Sequence, residues 1–226
     1  MVGRRSPLYR VTCMSLLALF ICSLRTVIAY QTKLDSAAIE EACMIGQRND
    51  KATAEFVAPY LKQVTEEGLD GLHRADIEIL TPYLQIVDRA RNATKGYSLI
   101  EATKDYRQHP DTVLIRVILI LPANYPTPQP DGAPPAACDN VALEPANFWN
   151  NFTFLVEQRG KAISPLSTKS EPVYSSPTRE TPARLDGATV SLEFKANDVA
   201  SEVLTVDIVT PHCKTISASF NLSALR

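Results

Sequence analysis

Three histidines, His73, His109 and His212, are the side chains best suited to general acid–base work near neutral pH, and none lies within ten positions of another. A dispersed Ser-His-Asp triad can be built around any of them only by the fold, because such triads leave no local spacing. Carboxylates are denser. Glu66, Glu67, Asp70, Asp76 and Glu78 surround His73 and read as an acidic loop at a helix end, with a weak cation site as the functional alternative. Paired carboxylates for glycoside hydrolysis are likewise set by the fold. The densest aromatic and amide patch is Asn147-Phe148-Trp149-Asn150-Asn151-Phe152. Phe148, Trp149 and Asn150 are the candidate binding residues, suited to stacking on and hydrogen-bonding a sugar or a partner peptide. The plainer reading has Phe148 and Trp149 plugging the end of a β core.

Motifs that carry a mechanism are missing. The chain has no GxGxxG, no GxxxxGK[ST], no GxSxG, no SxxK and no HExxH. Three dispersed histidines and scattered cysteines give no zinc-ligand spacing, and Asp70-Gly71, Asp131-Gly132 and Asp186-Gly187 are isolated turn dipeptides without an EF-hand ladder. No cofactor and no metal is expected, and no catalytic residue is assigned.

The first thirty residues read as an export signal. Arg4, Arg5 and Arg10 precede an uncharged apolar run from Val11 to Leu24, and Val27-Ile28-Ala29 suits a cut before Tyr30. Fourteen helical residues reach about 21 Å, short of a bilayer core of about 30 Å, which favours cleavage over anchoring. Cleavage removes four arginines and no acid, taking the net charge from −2 to −6. The expected location is secreted or periplasmic. An acidic balance argues against a nucleic-acid partner, and no later apolar run is long enough to span a membrane.

Cleavage also leaves three cysteines, Cys43, Cys138 and Cys213. Cys43 falls on an apolar helical stripe with Ile39, Ala42 and Ile45 and reads as a buried small hydrophobe. Cys138 and Cys213 sit in turn-like sequence and are the expected disulfide, permitted in an oxidising compartment. Asn92, Asn151 and Asn221 begin glycosylation sequons, which matter only in a eukaryotic secretory route.

These residues need a scaffold. Residues 30–111 read as a helical region. Ser36 is a candidate cap for a first helix broken at Asn49-Asp50. Phe56, Val57, Tyr60, Leu61 and Val64 form a second stripe, interrupted by Pro59, and Ile77, Leu80, Leu84 and Val87 a third. Pro82 suits the first helical position after a Thr81 cap. Ser98 and Glu101 match a capping box for a fourth helix. From residue 112 to 226 the chain reads as β-rich. Val113–Leu121 is nearly all apolar, as in a strand buried on both faces. Period-2 runs follow at residues 190–195, 204–209 and 216–222, the last two joined by a hairpin at Thr210–Lys214. Two segments, residues 122–140 and 164–187, are Pro-rich connections, the second with room for one short strand around Val173-Tyr174.

The expected fold is α+β, with an N-terminal helical segment followed by an antiparallel, β-sandwich-like domain. The expected function is an exported, non-catalytic binding or interaction protein for an unknown protein or glycan partner. An exported hydrolase with a dispersed site and an envelope or matrix structural component are the alternatives.

Overall fold

A computed structural model describes residues 30–65, 71–94, 96–108, 111–122, 147–176, 183–211 and 213–226. Two helices open it. Asp35, not Ser36, caps α1 (Ser36–Arg48) by accepting from the Ala38 amide at 2.8 Å. Asn49 ends α1 in a left-handed conformation, and Asp50 at once caps α2 (Lys51–Val57) through the Thr53 amide. The break expected at Asn49-Asp50 is therefore a stop followed by a start.

The second apolar stripe does not make one helix. Pro59 has no amide hydrogen to return to the preceding turn. The helix stops at Val57, a 3-10 turn covers Ala58–Tyr60, and the chain leaves as β1 (Leu61–Val64). The third stripe is also two elements. Ile77 and Leu80 lie on β2 (Arg74–Leu80), whereas Leu84 and Val87 lie on α3 (Pro82–Asn92). A proline disfavours helical backbone in the residue before it, and Thr81 is extended accordingly. Thr81 Oγ1 accepts from the Leu84 amide, with Pro82 in the first helical turn, as the sequence predicts. The capping box of α4 (Leu99–Gln108) forms as well: Ser98 Oγ accepts from the Glu101 amide, and Glu101 accepts from the Ser98 amide at 2.7 Å.

The strands make two antiparallel sheets. The first has the order β1-β2-β3-β7-β6, with β3 (Thr112–Ile120), β6 (Ser167–Tyr174) and β7 (Leu185–Lys195). The second has the order β5-β4-β8-β9, with β4 (Thr153–Gln158), β5 (Lys161–Ala162), β8 (Val203–Val209) and β9 (Thr215–Asn221). The chain is thus α+β with antiparallel sheets, but helix and strand are not segregated: β1 and β2 come from the stretch read as helical. Arg159-Gly160 turns β4 into β5, and the β8–β9 hairpin falls where the sequence places it.

One apolar cluster joins the layers. It takes Ile77, Ile115, Val190 and Phe194 from the first sheet and Val156, Val206, Ile208 and Phe220 from the second. Ile39, Tyr83, Leu84 and Val87 join it from the helices. The β3 strand is buried on one face only. Val113, Ile115, Val117 and Leu119 are fully buried, and Leu114, Arg116, Ile118 and Ile120 half-buried, so the expectation of two buried faces is corrected. Arg116 explains it: its ion pairs on β2 and α3 need a face that water still reaches.

Two glycines mark close approaches. A Cβ on Gly46 would stand 2.4 Å from the Val87 carbonyl oxygen, which sets how near α1 comes to α3. A Cβ on Gly187 would stand 2.1 Å from the Leu119 oxygen, where β7 pairs with β3. The far end of the sequence is locked onto the first helix. The Arg226 guanidinium grips both Glu41 oxygens at 2.6 and 2.7 Å and lies 4.6 Å from the centre of the Tyr83 ring. Its amide donates to Tyr60 Oη at 2.9 Å, and its main-chain oxygen accepts from Thr81 Oγ1. Held by Arg226, the Glu41 carboxyl is pulled below its ordinary value.

Candidate functional site

A polar cleft lies where α3 crosses the half-buried face of the first sheet. Register builds that face. Glu78, Arg116, Ser191 and Lys169 are successive partners across β2, β3, β7 and β6, and therefore share one side of the sheet. The next row on the same side runs Leu80, Leu114, Glu193 and Ser167. On α3, Gln85 and Arg89 stand four residues apart and face the two rows. The cleft between them has a volume of about 260 Å³ and is lined by Gln85, Arg89, Leu114, Ser167, Lys169, Ser191 and Glu193, with Thr112.

Its polar groups are held differently. Gln85 is fixed: its Nε2 donates to the Thr112 oxygen at 2.7 Å and to the Leu80 oxygen at 3.2 Å, leaving the amide oxygen as an acceptor. Glu193 accepts from Ser167 Oγ at 2.9 Å. Arg89 pairs with Asp105 of α4 at 3.4 Å, and Asp105 also accepts from Tyr97 Oη at 2.8 Å. Burial, helped by that carboxylate, pushes the Tyr97 hydroxyl up and keeps it a donor. Lys169 has no ion pair among the described residues, and its exposed position on the edge strand puts it at the mouth. Beside the cleft, Arg116 bridges Glu78 at 2.9 Å and Asp88 at 3.3 Å. Burial still raises the Glu78 carboxyl above its ordinary value, against the pull of Arg116.

Two cations, one carboxylate, three hydroxyls and an oriented amide suit a small hydroxylated ligand that carries negative charge. Among the described residues the lining offers no histidine and no cysteine. Among the described residues no group of three His, Cys, Asp or Glu gathers as a metal site.

The sequence-derived candidates lie elsewhere. Phe148 is 1% exposed and stacks edge-on with Trp149 and Phe152, so it closes the core and offers no binding surface. Trp149 is half-buried, and Asn150 alone of the three is exposed. The plugging role read for Phe148 and Trp149 therefore fits their burial, and the surface part of that patch is Asn147, Asn150 and Asn151 with the half-buried Trp149. His73 is exposed ahead of β2 and is not part of this cleft, while His109 and His212 lie outside the described residues. Of the acidic cluster, Glu66, Glu67 and Asp70 lie outside them too. Asp76 and Glu78 are on a strand, not at a helix end, and each is paired, with Arg74 and Arg116. Cys43 is buried and donates to the Tyr97 oxygen, as a small core residue should. Cys213 is exposed in the β8–β9 turn, and its expected partner Cys138 lies outside the described residues. Asn92, Asn151 and Asn221 are all exposed.

Sequence reasoning missed the cleft because its residues come from α3, β3, β6 and β7, spread over more than a hundred positions. The period-2 run at Ser191 and Glu193 was the one visible signal: it marked them as a polar face. Comparisons with family models, curated proteins and solved structures returned no match. No helix among the described residues is long and apolar enough to cross a membrane.

Proposed function

We propose that this chain is an exported, non-catalytic binding protein whose α3 cleft takes a small hydroxylated anion of the chemistry of a sugar acid. The observation that carries the reading is the cleft lining, in which Lys169 has no ion-pair partner among the described residues while Gln85 and Glu193 are held in place for hydroxyl groups. Glycan chemistry of this kind fits an extracytoplasmic setting. The export signal fits the fold: Tyr30, the residue after the expected cut, is buried, and its hydroxyl donates to the Ala196 oxygen at 3.1 Å. Cleavage there leaves the described domain whole. The two sheets pack as a sandwich in this reading, supported by the single core cluster that both supply. The Cys138–Cys213 disulfide is part of the proposal as well: Cys213 is a free, exposed thiol among the described residues, which leaves it open to a partner.

Calorimetric titration with D-glucuronate, D-galacturonate and neutral D-glucose tests the site. The uronates are expected to bind at least about tenfold more tightly than glucose, and Lys169→Ala to remove most of that difference. The preference should weaken with added salt. Equal binding of acid and neutral sugar, no binding of either, or uronate binding untouched by Lys169→Ala overturns the proposal.

A further inference from the structure

The outer strand of the first sheet, β6, is exposed along nearly its whole length. β6 pairs with β7 along one side only, and nothing among the described residues pairs with its other side. From Thr168 to Tyr174 every residue is exposed, on both faces of the strand. Three of the exposed large apolar side chains cluster at its two ends: Leu166 at 53%, Val173 at 38% and Tyr174 at 55%. An open edge of this length is a template for another strand.

The sequence of that edge says which strand fits. We propose that β6 pairs antiparallel with β6 of a second copy of this chain, about a two-fold axis through Ser170. In that register Lys169 stands opposite the partner's Glu171, and Glu171 opposite the partner's Lys169, so two opposite-charge pairs form on one face. On the other face Leu166 meets the partner's Tyr174 at each end, and Ser170 meets its own copy across the axis. The neighbouring registers are poor. Centring on Lys169 sets lysine against lysine, and centring on Glu171 sets two carboxylates together, both destabilising when directly opposite. The self-complementarity is a property of the segment Leu166–Tyr174 alone and needs no other surface. Pro172 is compatible, since strands carry proline at edges, although it gives the partner no amide hydrogen. Its missing donor and the narrow contact make the association weak and reversible. The joined sheet runs through ten strands, with both clefts on one face.

Sedimentation of the purified chain over a wide concentration range, under reducing conditions and without ligand, tests this independently of what the cleft binds. Wild type is expected to move from monomer to dimer. Glu171→Lys, which lies outside the cleft, sets lysine against lysine twice and should weaken the dimer about tenfold or more. The exchange Lys169→Glu with Glu171→Lys restores opposite charges and should return the dimer to within about threefold of wild type. A chain monomeric at every concentration, a dimer indifferent to Glu171→Lys, or a double exchange as weak as the single variant overturns the proposal.

Discussion

Replacing Arg116 by methionine tests the electrostatics of the half-buried sheet face. Arg116 holds Glu78 and Asp88 at once, and the three side chains are 28%, 23% and 24% exposed. An exposed ion pair is worth under about 1 kcal/mol, whereas stranding a fully buried charge costs about 3–5 kcal/mol. With about three-quarters of each side chain covered, and two carboxylates left without their cation, we expect a loss of about 2–3 kcal/mol at neutral pH. The pH dependence separates charge from packing. Burial already lifts the Glu78 carboxyl, and Arg116 is the main force pulling it down. Without Arg116 the folded state binds the proton still more tightly than the unfolded chain does. The variant's stability therefore falls as pH rises from the unfolded carboxylate value through the raised folded one. Urea denaturation at pH 4.5 and pH 7.5 should show a deficit that is full at the higher pH and substantially smaller at the lower. An equal deficit at both would mean that Arg116 contributes through its alkyl packing, and the charge argument would be refuted.

Two further outcomes follow from the packing. Gly46→Ala would ordinarily favour a helix, but here its methyl group meets the Val87 oxygen and the Ala90 Cβ, so a loss of about 1–3 kcal/mol is expected. A raised melting temperature would sink that account of the α1–α3 crossing. Burial pushes the Cys43 thiol up, and it should resist alkylation in the native protein and react only on unfolding. Peptide mapping after timed iodoacetamide treatment checks this, and rapid native labelling at Cys43 would contradict its place in the core.

The sequence was most informative where local chemistry decides the structure. Thr81-Pro82 and Ser98–Glu101 are caps that act within four residues, and both form as read. The runs around Val190, Leu204 and Ile216 alternate because one sheet face is buried, and β7, β8 and β9 follow. It was least informative between Phe56 and Leu80. Spacing there mimics a helix because apolar residues of two successive elements happen to continue one period. Only the pairing of β1 and β2 with each other and of β2 with β3 settles those residues as strands, and that pairing is a long-range property. The candidate site was hidden for the same reason. Gln85, Ser167, Lys169 and Glu193 converge through strand register and a helix crossing. The aromatic patch drew attention by composition, yet its two phenylalanines, Phe148 and Phe152, serve the core.

The grip of Arg226 on Glu41 joins residues 185 positions apart. Synthesis runs from the N-terminus, so α1 is made well before Arg226. Until residue 226 emerges, Glu41 has no cation, Tyr83 lacks its covering guanidinium, and Tyr60 and Thr81 have no main-chain partner to hold. The helices can form early, but these particular contacts wait for residue 226. Fastening α1 is thus a long-range step that follows the local ones by which the helices themselves form.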